Sequence, residues 1–541
     1  MKRYKSLLSI CLAAGLLSGC TDRFDSMNTN PGTVSEANLK YVLPYVQEMA
    51  THVDATGYYQ LADNLYAQKY CQYFANKSTS FPTDRYGYND SWSETGFWTP
   101  YYLVLKHMKV AKEIAVEHPE QTNICQMIRI MTAWATIGMT DCFGDIPYSE
   151  AGLGNSQNAY DSQESIYMDV FNELTDAAKI LIQNLSDQEV CDANNDLIFS
   201  GDTQKWIRFA NSLRLRAAMR ISFVNPTLAR QEAEAAIAAG VMESNDDNAY
   251  LTCAATGSYA WGHPLYQICG WNEFCMSEKM HQVLTSLSTV EDPRLELWFG
   301  VTRAYADSML VADAPGYCNS PKYRGLANGL SVSDLGLAAN DNSLVSYTWG
   351  LQAYSDYNTR GDASLCGNVA ITLPLKVMNY SEVCFLKAEA ALNGWANAGD
   401  AQQNYEAGIR ASFEDERSFL SDASLSSTAN DDTYITTGDV AWSNNQEENL
   451  EKIITQKWLA IYPNGIEAWA ECRRTGYPML IPVANSEDPS INPANGEFIK
   501  KIRYIDSERR ENAANATSST LNQGQGDGST VRVWWDTGRY K

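Results

Sequence analysis

Apolar residues recur every three or four positions along most of the chain. In residues 204–222, QKWIRFANSLRLRAAMRIS, this spacing places Trp206, Phe209, Leu213, Ala217 and Ile221 on one face. A stripe with this period is typical of an amphipathic helix whose apolar face is buried. The same pattern predicts further helices over residues 58–75, 97–115, 124–139, 164–183, 378–393, 400–412 and 447–473.

Short turns join several of these predicted helices into pairs. Gly394 separates two alanine-rich helices, and residues 463–465 (Pro-Asn-Gly) separate two helices that carry tryptophan. Paired helices of this length are typical of tetratricopeptide-like repeats, in which each unit buries its apolar face only against its neighbours. The sequence therefore predicts a mostly α-helical fold with a tetratricopeptide-like helical-repeat scaffold.

Two stretches depart from the helical pattern. Residues 241–375 are rich in Gly, Asn, Ser and Tyr, and residues 415–445 form a polar excursion. Long irregular segments inside a domain are usually functional loops or disorder, and the many aromatic residues of the first stretch argue against disorder. We therefore expect residues 20–541 to form one domain, with its ligand-binding region at about 241–375.

The first residues have the pattern of a processing signal. Lys2, Arg3 and Lys5 precede an apolar run over 7–17, which is much shorter than the ~20 residues that span a bilayer. Residues 17–20, Leu-Ser-Gly-Cys, resemble a bacterial lipobox. We expect removal of residues 1–19 as a lipoprotein signal peptide and lipid attachment at Cys20. The alternative is an ordinary secretory signal with a chance cysteine.

The charge balance narrows the range of partners. Removal of residues 1–19 takes away three basic residues and no acidic ones, which changes the formal net charge from −24 to −27. A body this acidic is repelled by nucleic acid and by anionic lipid, so neither is expected as a partner. The charge also favours a neutral or cationic ligand over a polyanion.

Cysteine and histidine give no sign of a metal site or cofactor. The chain has thirteen cysteines without a CxxC motif, and only five histidines. We expect no zinc site and no other cofactor. Scattered cysteines of this kind are interpreted as small buried apolar residues. A disulfide between Cys269 and Cys275 is the alternative for that pair.

Eight stretches, in this order along the chain, resemble the SusD/RagB-type outer-membrane nutrient-binding lipoproteins of the Bacteroidota. They are FDSMNTNPGTVSEANL (24–39), FGDIPYSEA (143–151), FSGDTQKWIRFANSLRLRAAMRI (199–221), DPRL (292–295), YRGLANGL (323–330), LPLKVMNYSEVCFLKAEAALNGW (373–395), KWLAIYPNGIEAWAECRRTGYP (457–478) and VRVWWD (531–536).

This resemblance implies a single, mostly helical domain with four tetratricopeptide-like repeats, a SusD-like α-α superhelix. It also implies a surface lipoprotein without catalytic activity, which captures nutrients, most often glycans, as a lid on a SusC-like, TonB-dependent β-barrel. Contact with such a transporter would bury more than about 2,000 Å². Asp22 and Asp25 resemble the acidic export tag of surface lipoproteins. None of the matching motifs carries a ligand residue.

An aromatic-rich stretch, SWSETGFWTPYY at 91–102, is the first candidate ligand surface. Trp98 and Tyr102 lie on a broad helical stripe that continues to Ala115, so we expect both in the core. Trp92 lies outside that stripe in a polar run. Trp92 is therefore the ligand-contact candidate of this stretch.

The irregular region offers more aromatic candidates, because no helix is predicted there before about residue 272. A sugar ring that stacks on one aromatic ring covers ~100 Å² of apolar surface, worth about 2–3 kcal/mol. Two or three such rings with hydrogen bonds give about −4 to −7 kcal/mol, in the mM to µM range. The alternative role for these rings is to pin down long loops. The candidates are Tyr259, Trp261, Tyr266, Trp271, Tyr347, Trp349 and Tyr354.

An acidic segment imitates a calcium loop without completing it. Asp192, Asn194 and Asp196 match the first ligands of an EF-hand, but Leu197 and Thr203 occupy the positions of the required Gly and Glu. The sequence therefore predicts no calcium site at this position.

Other charged pairs have a structural and a functional interpretation. Glu382 and Glu389 could act as the acid and base of a glycosidase, although salt bridges in a scaffold helix are the preferred interpretation. Arg473 and Arg474 are expected to pair with acidic neighbours, with a ligand role as the alternative.

We expect a nutrient-binding lipoprotein rather than an enzyme. One alternative is a lipid-anchored glycosidase with a helical toroid, which the many tryptophans and the acidic charge would fit. Another alternative is a receptor for peptides rather than glycans, since the same loops would accept an extended chain.

Overall fold

The computed structural model describes residues 38–155, 157–183, 186–254, 261–269, 271, 273–302, 321–338, 369–420 and 427–539. The chain divides into two units, Met1–Leu39 and Lys40–Lys541, and the architecture below is that of the second unit. The signal segment 1–19, the lipobox with Cys20, and the acidic residues Asp22 and Asp25 lie outside the described residues. The domain boundary at residue 19 therefore stays a prediction.

Ten α-helices of 11 to 22 residues form the frame. They are α1 (Leu39–Thr51), α2 (Thr99–Glu117), α3 (Thr122–Phe143), α4 (Gln163–Ile182), α5 (Thr203–Arg220), α6 (Pro226–Ala239), α7 (Tyr380–Leu392), α8 (Ala401–Ser418), α9 (Gln446–Ala460) and α10 (Gly465–Thr475).

Two π-helices and a set of short helical segments connect this frame. The π-helices are Ala55–Ala67 and Glu94–Trp98. The short α-helices are Gln68–Tyr70, Asp90–Ser93, Pro264–Cys269, Glu278–Ser286, Leu295–Trp298, Val332–Ala338, Val369–Thr372, Asp431–Thr436, Asp506–Glu511, Ala513–Ala516 and Leu521–Gly524. The 3₁₀ turns are Thr83–Arg85, Pro119–Gln121, Asn245–Asp247, Gly438–Val440 and Pro493–Asn495.

Strands are short and occur as three antiparallel pairs. β1 (Phe74–Asn76) pairs with β5 (Phe274–Met276), with Ala75 opposite Cys275. β2 (Ile146–Pro147) pairs with β3 (Tyr160–Asp161), and β4 (Ala249–Leu251) pairs with β6 (Leu375–Met378). Each pair ties together segments that lie between helices.

Side-chain caps begin most of the long helices at the residue where the apolar period starts. Asp202 accepts hydrogen bonds from the first-turn amides of α5, and Asn445 and Asn464 do the same for α9 and α10. Such a cap satisfies backbone donors that have no partner inside the helix. Neighbouring helices then pack together in chain order from α2 to α6, and α7 packs on α8, α9 and α5. The predicted mostly α-helical, tetratricopeptide-like scaffold is confirmed.

Two glycines allow unusually close backbone contacts around the longer π-helix. A Cβ on Gly96 would lie 2.8 Å from the amide nitrogen of Ala62, and a Cβ on Gly465 would lie 2.6 Å from that of Gln68. Any larger residue would force these backbones apart. The longer π-helix is thereby held against Glu94–Trp98 on one side and against the start of α10.

Some boundaries and segments differ from the prediction. Helices α1 and α6 were not predicted, because α1 contains Pro44 and α6 is rich in alanine with little apolar contrast. The prediction that residues 241–375 are irregular was wrong in part, since β4, β5 and several short helices lie there. Residues 415–445 are also less polar than expected, because Tyr434, Ile435 and Val440 are buried in one core cluster.

A buried ionic network joins helices α3, α5, α7, α9 and α10. Its members are at most 5% exposed and come from opposite ends of the sequence. They are Asp141, Arg216, Arg220, Glu382, Glu389, Lys457, Glu467, Glu471 and Arg474.

Arg220 is at the centre of this network. Its guanidinium lies 3.2 Å from the carboxylate of Asp141 and 2.6 Å from that of Glu467, and it also contacts Glu471. Asp141 accepts further hydrogen bonds from the Tyr167 hydroxyl at 2.7 Å and the Trp535 indole at 2.6 Å. The network therefore fixes α3, α5 and α10 with respect to one another.

The two carboxylates that resembled a catalytic pair belong to this network. Glu382 lies 2.6 Å from Arg216, and Glu389 lies 2.7 Å from Arg474. Both pairs are two-pronged, with each carboxylate oxygen accepting a hydrogen bond. The interpretation as structural salt bridges is confirmed for both residues.

Arg473 does not form the acidic pair that was expected of it. Arg474 meets Glu389 and Glu471, whereas Arg473 donates to the backbone carbonyls of Asp141 and Lys500 at 2.7 and 2.8 Å. Its guanidinium also lies 3.6 Å from the centre of the Trp469 ring. The prediction of an acidic partner was wrong for Arg473, because adjacent residues on a helix face different directions.

We predict that replacement of one network carboxylate, Glu467, lowers the stability of the protein in a pH-dependent way. Burial raises the pKa of Glu467, but the charges of Arg220, Lys457 and Arg216 outweigh this and hold the pKa at about 2. The carboxylate therefore contributes stability above the unfolded pKa of about 4.5, and this contribution is lost as the pH falls towards about 2. Glu467→Gln should lower the free energy of unfolding by about 3–5 kcal/mol at pH 7, measured by urea denaturation.

The difference between Glu467→Gln and the wild type should narrow as the pH falls below about 4.5. Glu448→Gln, an exposed change on α9, is the matched control and should stay within about 0.5 kcal/mol of the wild type. A difference that is constant between pH 7 and pH 3 would contradict the assigned charge state of Glu467.

Candidate ligand-binding site

Two tryptophans stand out by their exposure. Of the tryptophans in the described residues, only Trp261 and Trp271 are more than a third exposed, at 37% and 45%. By contrast, Trp206, Trp458 and Trp469 are fully buried. Exposed indole rings are costly to leave in water, so they are characteristic of binding surfaces.

A short helix lies between these two tryptophans in the sequence and anchors the segment to the longer π-helix. Pro264–Cys269 lies between Trp261 and Trp271 and packs against the π-helix Ala55–Ala67, with Leu265 and Ile268 fully buried. The two exposed tryptophans thus flank one short helix, Trp261 three residues before its start and Trp271 two residues after its end.

Backbone hydrogen bonds fix the positions at which the two tryptophans emerge. The Trp261 carbonyl accepts from the Ala254 amide at 2.8 Å, and the His263 amide donates to the Ile371 carbonyl at 2.8 Å. The Trp271 amide donates to the Ile268 carbonyl at 3.2 Å. The backbone around Trp261 is therefore hydrogen-bonded to neighbouring segments, and the backbone at Trp271 to the short helix that precedes it.

Tyr266 has a different setting from the one predicted. It lies inside the helix Pro264–Cys269 and is half-buried, although no helix was expected before residue 272. The physical reason is that Pro264 occupies the first helical position, where its fixed φ favours a helix and its missing N–H has no cost. Tyr266 is therefore partly covered by the protein and only partly available to a ligand.

Polar side chains lie beside the aromatic surface. The Gln60 amide on the π-helix donates to the Glu273 carboxylate at 3.0 Å, two residues beyond Trp271. Burial raises the pKa of Glu273, partly offset by the charge of Lys69 and by the Gln60 hydrogen bond. An aromatic surface with an amide and a carboxylate at its edge can stack on an apolar face and hydrogen-bond to hydroxyl groups.

Lys69 lies beneath this edge. Its ammonium is 4.6 Å from the centre of the Phe274 ring and 5.4 Å from that of Phe74. Burial lowers the pKa of Lys69 to about 8, in spite of the charges of Asp84 and Glu273. The two aromatic rings therefore stabilise a cation that packing has removed from water.

A buried carboxyl group adjoins Trp261. Glu48 on α1 is 6% exposed, and burial raises its pKa to about 7, while the indole of Trp261 offsets part of this shift. The ring that is a candidate ligand contact is therefore next to a group that titrates near neutral pH. Neither Glu48 nor Gln60 could be identified from the sequence, because both lie on helices about 200 residues away from the tryptophans.

Trp92 is placed differently from the other candidates. It is half-buried in the helix Asp90–Ser93, and its ring meets that of Phe81 edge to face at 5.6 Å. In the described part of the chain no ring contact joins Trp92 to Trp261 or Trp271. Trp98, which was predicted to be core, is buried, and Tyr102 is half-buried against it.

Four predicted ligand residues lie outside the described residues: Tyr259, Tyr347, Trp349 and Tyr354. Their role stays a prediction. All nine cysteines in the described residues are buried and free, Cys269 and Cys275 among them, as their interpretation as small apolar residues requires.

The calcium-like segment has a structural role. Asp196 is fully buried and accepts hydrogen bonds from the side chains of Gln47 at 2.7 Å and Trp206 at 2.8 Å. It also accepts from the backbone amides of Ile198, Phe199 and Gly201. Its oxygens are thus occupied in fixing the turn that leads into α5.

The fold and the exposed aromatic surface are those of a helical ligand-binding protein, and comparison with known proteins identifies the family. Residues 26–536 match the SusD-like family, described as the SusD and RagB outer membrane lipoproteins. The chain therefore belongs to the SusD-like family. No helix among the described residues has both the length and the apolarity to cross a bilayer.

Solved structures agree with this assignment. A chitin-binding SusD homologue from Flavobacterium johnsoniae is 28% identical, with a TM-score of 0.73, and the match covers 93% of this chain and 99% of that one. A SusD homologue from Bacteroides uniformis is 26% identical, with a TM-score of 0.72 and coverage of 92% and 99%. A homologue from Bacteroides ovatus gives the same four values. Comparison with curated proteins gives no match.

The setting of Glu48 predicts a second pH effect, opposite in sign to that of Glu467. A carboxyl whose folded pKa is raised contributes stability below the unfolded pKa of about 4.5, and this is lost as the pH rises through about 7. Glu48→Gln imitates the neutral form. The variant should therefore have a higher melting temperature than the wild type at pH 8, with a difference that shrinks towards pH 5.

Glu113→Gln, an exposed change on α2, is the matched control for Glu48→Gln and should follow the wild type at both pH values. Equal melting temperatures for Glu48→Gln and the wild type at pH 8 would show that Glu48 is not held in an environment that disfavours its charge.

Proposed function

We propose that this chain binds saccharides on the surface formed by Trp261 and Trp271. The observation that carries the proposal is that these two indoles are exposed, while the other tryptophans of the described residues are buried or half-buried. Sugar rings have an apolar C–H face that stacks on aromatic rings, and their hydroxyl groups match the amide and carboxylate of Gln60 and Glu273.

Two related structures support the saccharide assignment. The homologue from Flavobacterium johnsoniae and a second protein that is 28% identical are both named chitin-binding. Oligosaccharides of N-acetylglucosamine are therefore the first ligands to test. Two stacked rings give about 4–6 kcal/mol before the entropy of binding is counted, which suits a protein that must release its ligand again.

The second part of the proposal is delivery. The family is described as outer membrane lipoproteins. On that basis we assign to this chain a lipid anchor at Cys20, a location at the outer membrane facing the cell exterior, and transfer of the ligand to a SusC-like, TonB-dependent barrel.

The proposal does not include catalysis. Glu382 and Glu389, which could be compared to a glycosidase pair, are each occupied by an arginine in the buried network. A receptor for peptides is the remaining alternative, since exposed tryptophans can also contact an extended peptide chain.

Replacement of both exposed indoles tests the binding site. Trp261→Ala with Trp271→Ala should weaken binding of N-acetylglucosamine oligosaccharides by about 30-fold or more, because a net loss of only about 1 kcal/mol for each ring already amounts to this factor. Isothermal titration calorimetry measures the affinity. Circular dichroism checks that the double variant keeps its helical fold.

Tyr41→Ala is the matched control, because Tyr41 is 61% exposed on α1. It should leave the affinity unchanged. Equal affinity of the double variant and the wild type would refute the assigned site, and Trp-dependent binding of oligopeptides but not of oligosaccharides would favour the peptide receptor. Release of new reducing ends from the oligosaccharides would refute the non-enzymatic assignment.

The delivery step predicts a stable complex. Affinity purification of the full chain from outer membranes of its own cells should recover a TonB-dependent barrel in about equal amount. Cys20→Ala should lose membrane attachment while the released protein still binds oligosaccharide. Recovery of the chain alone, under detergent conditions that keep outer-membrane complexes intact, would refute the proposed partnership.

A further inference from the structure

A concavity lies among residues that are distant in sequence from the two tryptophans. It is an open cleft of about 910 Å³, formed by residues 86–88, 487–490 and segments between 503 and 531. This volume lies within the range of small-molecule binding sites. No part of the aromatic surface described above lines it.

The acidic groups of this cleft are already satisfied. Glu487 accepts from the Arg85 side chain at 2.6 Å. Asp527 accepts from Lys501 at 2.7 Å and also contacts Arg509. These carboxylates are therefore neutralised by the protein itself.

Asp488 is satisfied in a different way. It accepts from the amide and the hydroxyl of Ser490 at 2.9 and 2.6 Å, and from the hydroxyl of Ser529. Burial raises the pKa of Asp488, but these hydrogen bonds and the charge of Arg503 outweigh it, so that the pKa lies below its ordinary value.

Arg503 is the exception among the charged groups of the cleft. Its guanidinium makes no hydrogen bond or ion pair with any residue in the described part of the chain, and its Nε is inaccessible to water and without a partner. The guanidinium stacks on the Tyr88 ring, 4.4 Å from the ring centre. The Tyr88 hydroxyl donates in turn to Asp90 at 3.0 Å. Arg503 is thus held in place by stacking, while its donors have no acceptor among the residues that the structure describes.

The walls around Arg503 are fixed before any ligand arrives. The Ser529 carbonyl accepts from the Lys500 amide at 2.7 Å, and the Ser529 hydroxyl links to the loop at Asp488. No atom lies within 4 Å of the position that a Cβ on Gly526 would take, so this wall leaves open space. A preformed site loses little entropy when it binds.

We propose that this cleft is a second binding site, in which the Arg503 guanidinium holds the carboxylate of an acidic sugar unit, such as a uronate, within an oligosaccharide. The planar guanidinium fork matches a carboxylate with two parallel hydrogen bonds. The inference rests on the proposed function in one respect, namely that the ligand is a saccharide.

The charges in and around the cleft favour a ligand that places a single carboxylate at Arg503. Among the described residues of the cleft, Arg503 is the one guanidinium without a hydrogen-bonded partner. Glu487 and Asp527 are each paired with a basic side chain, and Asp488 accepts hydrogen bonds from two serines. The strongly negative body of the protein opposes a polyanion such as a nucleic acid or a highly sulfated chain. At physiological salt this repulsion is screened beyond about 8 Å, so an isolated carboxylate at Arg503 is tolerated.

The test compares a trimer of galacturonate with the same trimer as its methyl ester, using calorimetry on the full chain. The free acid should bind, and the ester, which lacks the carboxylate charge, should bind at least about 10-fold more weakly. Arg503→Gln should weaken binding of the acid to the level of the ester. Arg503→Lys, which keeps the charge and loses the fork, should give an intermediate affinity.

Arg510→Gln is the matched control, because Arg510 lies seven residues further on, is 69% exposed and pairs only weakly with Glu511. It should bind the acid as the wild type does. Retained binding of N-acetylglucosamine oligosaccharides by Arg503→Gln will show that the variant is folded.

The possible outcomes separate this inference from the proposed function. Equal binding of acid and ester, equal binding by Arg503→Gln and wild type, or Arg503-dependent binding of a tripeptide carboxylate but not of the uronate would overturn the cleft assignment. None of these results affects binding at Trp261 and Trp271. Conversely, loss of the tryptophan site leaves Arg503-dependent binding of the acid as a separate result.

Discussion

The buried ion pairs around Arg220 are the interaction on which the rest of the fold depends. Arg220 of α5 meets carboxylates from α3 and from α10. The α10 carboxylates are shared, Glu467 with Lys457 and Glu471 with Arg474. Removal of charges from water is expensive, so such a cluster is stable only if nearly every donor has an acceptor. These donors and acceptors lie on five helices, so all of them pair only when the five helices have their native arrangement. The cluster therefore selects one arrangement of helices that apolar packing alone would leave more open.

Because the helical frame is specified in this way, the proposed ligand surface does not need to contribute to it. The two exposed indoles emerge from a short helix whose buried side packs on the longer π-helix, and that π-helix is in turn held close to α10. The cleft around Arg503 is likewise built on segments anchored by their own ion pairs. Both surfaces are thus attached to the frame by contacts that a ligand does not have to form.

Much of the frame could be predicted from the sequence, because apolar period and capping residues are local signals. The run that ends in Ile221 and the turn at residues 463–465 are examples, and both are found where the pattern places them. Helix α6 escaped prediction, since alanine gives little contrast between its faces, although Asn225 and Pro226 form a recognisable start. The exposure of Trp261 and Trp271 followed from the absence of a long helical period around them. The setting of Glu48, Gln60 and Arg503 depends on chain segments far apart in the sequence, and no local pattern records it.

The longer π-helix has a consequence for how this protein can vary. It runs for thirteen residues, whereas π-helical geometry usually occurs as a single widened turn at a functional position. Loss of one residue would shift every side chain beyond that point by one helical position and so turn it away from the face that it now occupies. Substitutions along its outer face are therefore easier to accommodate than any change in its length. A change in length would alter the surface on which the short helix Pro264–Cys269 packs.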